Sequence, residues 1–164
     1  MTRLTIRRYP DPALKTPAEA VSEFGPDLAT LADDLYETMK AAPGVGITAP
    51  HCGVLKRLTV IDIPEIGGRR DYVNPEILWA SDAMMTHTEG SVSMPGMTDE
   101  VTRPAAVRIR HQTLDGTVVE EEMEGFAAIC MQHEIDQLDG IFWIMKLSRL
   151  KRERLLKKWD KATR

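Results

Sequence analysis

The chain has 164 residues, of which 43% are hydrophobic and 28% are charged, so we expect one soluble domain spanning residues 1–164 with a core of its own. No apolar run approaches the roughly 20 residues that a membrane-spanning helix needs, and the N-terminus has no apolar signal core. The sequence therefore predicts a cytoplasmic protein with no membrane partner. The two cysteines, Cys52 and Cys130, are few for a disulfide scaffold, and we expect small apolar residues instead.

The net charge of −4 is distributed unevenly along the chain. Residues 146–164 contain nine Lys or Arg against two Asp or Glu, a local charge of +7 that leaves −11 for the remainder. A uniformly basic nucleic-acid-binding protein is excluded, and we expect no sequence-specific nucleic acid partner. The pattern indicates a basic tail on an acidic body.

An N-terminal helix is the first regular element that the sequence predicts. Apolar residues recur at spacings of three and four from Phe24 to Met39, which is typical of an amphipathic helix of about four turns. The segment Gly44-Val-Gly-Ile-Thr-Ala-Pro-His51 follows. It lacks the full G-x-G-x-x-G of a phosphate-binding loop, so its two glycines indicate backbone held close to a ligand or to another strand.

The middle of the chain is predicted to form mostly antiparallel strands. The segments with a β-branched or alternating pattern are residues 58–63, residues 72–79 with a break at Asn-Pro, residues 83–88, and a hairpin of residues 107–111 and 118–120. His111 follows Arg110 in this hairpin, and we expect it to face solvent.

The last part of the chain predicts two helices. The apolar run from Phe126 to Met131 lies between Gly125 and Gly140, which indicates a buried helix that stops at a C-terminal glycine. Residues from about 147 to 164 give an amphipathic helix with a strongly basic outer face. The whole predicts an α+β fold of mostly antiparallel sheets packed around the buried helix, with an N-terminal helix and the basic C-terminal helix.

The buried helix carries the pattern Gln132-His-Glu-Ile-Asp-Gln137. His133 and Gln137 are four residues apart and share one face of the helix, with Glu134 on their flank. An H-E-x-x-H helix uses this geometry to bind zinc or iron and to place a glutamate against the metal-bound water. The second histidine is Gln137 here, so the helix has the frame of a metallohydrolase and lacks one ligand.

Three segments together resemble the peptide deformylase family, metallohydrolases that remove formyl from the N-terminal methionine of nascent bacterial proteins. The family patterns G-x-G-x-A-A-x-Q, E-G-C-x-S and Q-H-E-x-D-H-L correspond to Gly44–His51, Glu89–Ser93 and Gln132–Leu138. The order and spacing agree, and the likeness extends from the Tyr-Pro near residue 9 through the C-terminal helix. The resemblance implies a hydrolase of protein biosynthesis that acts on N-formylmethionine.

The departures from the family pattern fall on its chemistry. In the family, a cysteine and two histidines bind the metal, and the matching positions here are Ser91, His133 and Gln137. His133 is thus the only ligand that remains. Glu134 matches the general acid/base, and His51 replaces a glutamine that hydrogen-bonds the reacting carbonyl. The resemblance also implies a substrate cleft at Gly44, Val45, Gly46 and Val92, and supporting residues at Glu89 and Arg103.

Loss of two ligands predicts a failed metal site. The free energy of zinc binding to a four-ligand structural site is about 10–16 kcal/mol, or roughly 3 kcal/mol per ligand. Two missing ligands would then weaken binding by about 6 kcal/mol, on the order of ten-thousand-fold. Serine does not compensate, because a hydroxyl is much less acidic than a thiol and matches a soft ion poorly. We therefore expect no cofactor, or at most a weakly bound Zn, Fe or Ni ion.

The first functional hypothesis is accordingly a pseudoenzyme that keeps the peptide-binding cleft. Its expected partners are the N-termini of nascent peptides or the ribosome, the latter through the basic C-terminal helix, which in some relatives contacts the ribosome. The alternative for this helix is a solvated charged face without a partner.

Active amide hydrolases remain as alternatives. One is a slow deformylase that uses Glu134 with a metal relocated to His51 and His133, or with a water activated by His133. Another is a serine hydrolase in which Ser91, His133 and Glu89 act as nucleophile, base and orienting group. The serine hydrolase requires Ser91 and His133 to lie within hydrogen-bond reach. The simplest alternative for His133 is a buried, hydrogen-bonded helix residue.

Overall fold

The computed structural model describes residues 2–164 and combines α-helices with antiparallel sheets, which confirms the predicted α+β class. In chain order the main elements are α1 (Pro26–Ala41), β1 (Gly46–Thr48), β2 (Leu58–Ile63), β3 (Gly68–Ala80), β4 (Met84–Gly90), β5 (Thr98–Pro104), β6 (Ala106–Gln112), β7 (Val118–Glu124), α2 (Gly125–Leu138) and α3 (Arg149–Ala162). Short 3-10 helices span Pro12–Lys15, Ala49–Cys52, Pro64–Ile66 and Trp143–Lys146. Within residues 2–164, every helix is too short or too polar to cross a membrane.

The strands form two antiparallel sheets. Five strands lie in the order β1-β2-β3-β6-β7, and β4 pairs with β5 in a separate two-stranded sheet. β1 is an edge strand, which pairs with β2 from Gly46 opposite Ile61 to Thr48 opposite Thr59. An edge strand presents backbone N–H and C=O groups on its unpaired side, where an extended chain can add. This open edge lies beside the site described below.

The helix α2 is buried against the five-stranded sheet. Its small residues Ala127 and Ala128 pack into a core with Ile61, Tyr72 and Ile109. α2 ends at Leu138, and Gly140 follows with φ +79°, which agrees with the predicted C-terminal glycine. A Cβ atom at residue 140 would lie 2.9 Å from the Lys15 carbonyl oxygen, so only glycine fits there. This close contact anchors the C-terminal end of α2.

The two outer helices pack on separate parts of the core. α1 buries Leu28 and Leu35 against strands β1 and β2. α3 buries Leu155 and Trp159 in a cluster with Trp143, Leu156 packs against the same cluster, and most of the other side chains of α3 are exposed. Both helices therefore lie where their apolar stripes predict.

The predicted break of the strand at Asn74-Pro75 is wrong. β3 continues through these residues, with Asn74 at φ +51° and a shift of the β3–β6 register between Val73 and Glu76. The Asn74 side-chain amide accepts from the Val21 N–H at 2.8 Å and donates to the Val21 carbonyl at 3.0 Å, which ties the irregular part of β3 to the N-terminal segment. Asparagine tolerates this left-handed conformation better than most residues, so a bulge takes the place of a break.

The predicted solvent exposure of His111 is also wrong. His111 is buried, its Nε2 lies 2.8 Å from Glu121 Oε2, and its ring packs edge-on against Tyr72. Strand alternation places it on the same face as Val107 and Ile109, which are both buried. The alternation of buried and exposed residues along the strand therefore predicts the burial of His111 better than its charged neighbours do.

Candidate functional site

A cavity of about 400 Å³ opens where β1, the β4–β5 connection and α2 meet. It brings together most of the residues that the sequence assigned to the site. Those lining it are Gly44, Val45, Gly46, His51, Glu89, Ser91, Val92, His133 and Glu134. Phe126, Ile129 and Cys130 of α2 add apolar surface that the sequence did not assign to the site.

Gly44, which precedes β1, and Gly46, which begins it, allow close contact within this cavity. A Cβ atom at residue 44 would lie 2.8 Å from Val92 Cγ1, and one at residue 46 would lie 3.0 Å from Glu134 Oε1. Such separations are shorter than ordinary van der Waals contacts, so a larger residue at either position would push against Val92 or Glu134. The sequence predicted close approach to a ligand or to another strand, and the structure shows close approach to two side chains of the site instead.

A buried ionic network holds His133 in place. His133 Nδ1 lies 2.8 Å from Glu89 Oε1, and Arg103 donates to both oxygens of Glu89 at 2.6 and 2.9 Å. Arg103 Nη1 also donates to Asp136 Oδ2 at 2.7 Å. Burial alone would raise the pKa of Glu89, but the hydrogen bonds from His133 and Arg103 lower it to about 2. Glu89 is therefore ionised at neutral pH and fixes the His133 ring with Nε2 turned away from it.

His51 is held as a neutral donor. The Thr48 backbone N–H donates to His51 Nδ1 at 2.9 Å, so Nδ1 is unprotonated and the neutral ring carries its proton on Nε2. Burial, followed by the charge of His133, lowers the pKa of His51 to about 3. Nε2 is buried without a hydrogen-bond partner among residues 2–164. His51 thus keeps an unpaired N–H donor in the wall of the cavity.

Glu134 lines the cavity and has one buried, unpaired carboxyl oxygen. Its side chain is buried, and Oε2 has no hydrogen-bond partner among the described residues. The nearest basic atom to Oε1 is His133 Nε2, at 3.8 Å, which exceeds hydrogen-bond distance. Burial raises the pKa of Glu134 to about 7 against the opposing charge of His133. A carboxyl of this kind can accept or release a proton near neutral pH.

Gln137 does not face the cavity. Its Nε2 donates to the Leu14 carbonyl at 2.9 Å, and the residue is not among those lining the cavity. Although His133 and Gln137 lie on the same face of α2, their side chains therefore do not meet at one point. The hydrogen bond joins α2 to the N-terminal segment instead.

Ser91 has no base within hydrogen-bond distance. Its Oγ accepts from the Ser93 backbone N–H at 3.1 Å, and the hydrogen bonds of residues 2–164 include none between Ser91 and His133. The geometry required for the serine hydrolase is thus absent. Ser91 instead caps the tight turn that leads into the β4–β5 connection.

A catalytic transition metal does not fit the residues present. Of the three positions that match the family's metal ligands, His133 and Ser91 line the cavity, and the third, Gln137, is turned toward Leu14. Residues 2–164 contain no group of three or more His, Cys, Asp or Glu side chains placed to hold an ion. A hard hydroxyl with one imidazole is a poor donor set for zinc or iron.

Two residues that hold the site were not identified from the sequence. Asp136 shares the guanidinium of Arg103, and Thr48 sets the proton position of His51. The spacing could have identified both residues. Asp136 lies three residues after His133 on α2, and Thr48 lies three residues before His51, so each is one helical turn from a residue of the site.

The geometry defines a class of protein first: an α+β scaffold in which a buried H-E-x-x helix and an edge strand that begins at Gly46 line one cavity. The model of the polypeptide deformylase family matches residues 3–153. The chain is 55% identical to the "Peptide deformylase-like" protein of Brucella melitensis over 164 residues, covering all of both chains. It therefore belongs to the peptide deformylase family.

Solved structures agree with this assignment. The peptide deformylase of Legionella pneumophila superposes with a TM-score of 0.92 at 37% identity, covering 99% of this chain and 96% of that one. The peptide deformylase of Ehrlichia chaffeensis in complex with actinonin gives a TM-score of 0.94 at 33% identity, covering 100% and 99%.

Proposed function

We propose that this chain binds peptide N-termini in its cleft and does not catalyse metal-dependent deformylation. One observation carries the proposal: a cavity of about 400 Å³ stays open while Gln137, at the third ligand position, bonds the Leu14 carbonyl outside it. On this proposal the chain retains the cleft of its family and has lost the family's set of metal ligands. The protein is then a pseudoenzyme with a degenerate metal site.

The cavity has the properties of a peptide-binding cleft. Its volume is within the range of ordinary ligand sites, and Phe126, Ile129 and Val92 supply apolar surface for a side chain. The unpaired edge of β1 runs along it and can accept an extended peptide as an added strand. Main-chain hydrogen bonds would then give affinity, and the apolar surface would select the side chain.

A second candidate is slow, metal-free amide hydrolysis. Glu134, with its pKa raised to about 7 by burial, would take a proton from a water attacking the amide carbonyl. His51 Nε2–H would donate to the developing oxyanion, and the proton would pass from Glu134 to the leaving amine as the C–N bond breaks. The buried, unpaired atoms of these two residues favour this candidate over the Ser91 hydrolase.

The test separates binding from turnover. Hydrolysis of a formyl-methionyl peptide is measured anaerobically with iron or nickel added, and then with a chelator. The pseudoenzyme predicts binding of the peptide by calorimetry and no turnover in either condition. Turnover that survives the chelator and disappears in Glu134→Gln supports the second candidate, whereas efficient metal-dependent turnover refutes the proposal.

The helix α3 provides a second surface with a proposed partner. It carries seven Lys or Arg and two Asp or Glu, and all but one of the basic residues are exposed. We propose that this face contacts ribosomal RNA, which would place the protein in the cytoplasm beside nascent chains. Ribosome affinity should then fall steeply with added salt. Affinity that does not change between low and high salt would contradict this contact.

A further inference from the structure

A strap of N-terminal chain is bonded to the walls of the cavity from outside. The strap comprises residues 7–14, and none of them lines the cavity. The Arg7 N–H donates to the His51 carbonyl at 2.7 Å, and the Tyr9 N–H donates to the Ser93 carbonyl at 3.0 Å. The strap therefore joins the 3-10 helix that carries His51 to the connection between β4 and β5.

The same strap is also bonded to the helices α2 and α3. The Leu14 carbonyl accepts from Gln137 of α2 at 2.9 Å, and the Tyr9 carbonyl accepts from Trp159 Nε1 of α3 at 3.2 Å. The Tyr9 ring stacks on Phe142, with 5.4 Å between the ring centroids. Tyr9 thus lies between α3, which holds its carbonyl, and the cavity wall, which its N–H holds.

The wall that Tyr9 holds is a turn of residues 91–97. The backbone hydrogen bonds within this turn are local, from the Met94 N–H to the Ser91 carbonyl at 3.1 Å and from the Met97 N–H to the Met94 carbonyl at 3.2 Å. A connection with local hydrogen bonds adapts easily unless a distant part of the chain fixes it. The bond from Tyr9 is such a contact, so the position of the wall depends on Tyr9.

We infer that Trp159 of α3 positions this wall through Tyr9, so that peptide affinity depends on a hydrogen bond outside the cleft. The N–H and the carbonyl of Tyr9 are separated by two rotatable backbone bonds, and a bond that fixes the carbonyl therefore restricts the N–H. Trp159 is a positioning residue, because it contacts the strap and not the ligand. This inference rests on the proposed peptide binding and names a residue that controls that same cleft.

The test measures the dissociation constant of formyl-Met-Ala-Ser by calorimetry on the full chain. Trp159→Phe keeps an aromatic ring in the core and removes the N–H that Tyr9 accepts. Loss of a hydrogen bond that orders the wall predicts a dissociation constant about 3- to 10-fold higher than that of the wild type.

Two control variants separate this hydrogen bond from packing. Trp79→Phe makes the same substitution at an exposed position of β3 and should bind the peptide as the wild type does. Leu155→Val loosens the packing of α3 in the cluster that contains Trp159 and leaves the hydrogen bond to Tyr9 in place. It should lower the midpoint of thermal unfolding and leave the dissociation constant unchanged.

Hydrogen exchange tests the strap independently of peptide affinity. In the unliganded chain, Trp159→Phe should exchange the amides of Tyr9 and Met94 faster than Leu155→Val does, because both amides belong to the chain that Trp159 holds. Coupling is reciprocal, so peptide binding to the wild type should slow exchange at Tyr9, although Tyr9 does not line the cavity.

The outcomes separate this inference from the proposed function. Weaker binding by Trp159→Phe alone supports the inference. Binding by Trp159→Phe equal to that of the wild type overturns it, and so does an equal loss in Leu155→Val.

Two further outcomes are decided by hydrogen exchange. Absence of peptide binding in the wild type refutes the proposed function, and exchange in the unliganded variants then decides whether Trp159 positions the wall: faster exchange at Tyr9 and Met94 supports this role, and unchanged exchange overturns it. If Trp159→Phe does not fold, the wild type decides, because unchanged exchange at Tyr9 on peptide binding overturns the inference and slower exchange supports it.

Discussion

Arg103 carries the ionic network that positions His133, and its replacement has a calculable cost. The side chain is 4% exposed and donates three hydrogen bonds to two carboxylates. Arg103→Met removes the cation and leaves Glu89 and Asp136 without it. Removing one partner of a buried ion pair typically lowers the free energy of unfolding by about 3–5 kcal/mol.

The pKa of Glu89 gives an independent magnitude. A decrease from 4.5 to about 2 corresponds to roughly 3 kcal/mol of stabilisation of the folded state. Because this pKa is lowered by folding, the stabilisation is complete above pH 4.5 and is lost as the pH falls toward 2. Because His133 also lowers this pKa and remains in Arg103→Met, the difference in stability between wild type and the variant should narrow by less than about 2 kcal/mol between pH 7 and pH 3.

Urea denaturation at both pH values measures this difference. Arg108→Met makes the same substitution at an exposed position of β6 and should change the free energy of unfolding by less than about 0.5 kcal/mol. If Arg103→Met lowers the free energy of unfolding no more than the control Arg108→Met does, the stabilising role of the network is refuted. A difference that stays constant as the pH falls would also refute it.

Three further predictions concern packing and burial at the site. Gly44→Ala should lower the free energy of unfolding by about 1–3 kcal/mol by overpacking against Val92, and Val92→Ala should recover part of the loss, whereas additive losses in urea denaturation would contradict the contact. Gln137→Met should lower the free energy of unfolding by about 1–3 kcal/mol, because the buried Leu14 carbonyl loses its hydrogen-bond donor. An unchanged midpoint of thermal unfolding would show that this hydrogen bond does not stabilise the fold. Burial raises the pKa of the Cys130 thiol to about 12, so iodoacetamide at pH 8 should modify it in the unfolded chain and spare it in the native one; equal rates in the two states would contradict its burial.

The elements with a clear period were predictable from the sequence. The apolar stripe of α1, the β-branched β2 and the glycine after α2 follow directly from residue type and spacing. β3 was misread at Asn74, because the local preference of Asn-Pro was overruled by tertiary hydrogen bonds to Val21. His111 was misread because its charged neighbours were given more weight than strand alternation.

The sequence predicted which residues line the site better than it predicted the direction in which their side chains point. The order of the motifs identified Glu134, His51 and Ser91, and all three line the cavity. The direction of Gln137 depends on the Leu14 carbonyl, which is 123 residues away in sequence and comes close only through folding. The proton position of His51 likewise depends on a backbone N–H. Such contacts are set by the tertiary structure, and spacing along the chain does not specify which partner is chosen.

The central claim is that the cleft persists without a catalytic metal, and metal affinity tests it most directly. Wild type and the double variant Ser91→Cys, Gln137→His are purified in parallel from unsupplemented cells under anaerobic conditions. Their zinc, iron and nickel contents are then measured by mass spectrometry. With two ligands missing, binding by the wild type should be weaker on the order of ten-thousand-fold, so it should carry far less than one ion per chain while the double variant approaches one. A wild-type protein that carries one ion per chain would contradict the account.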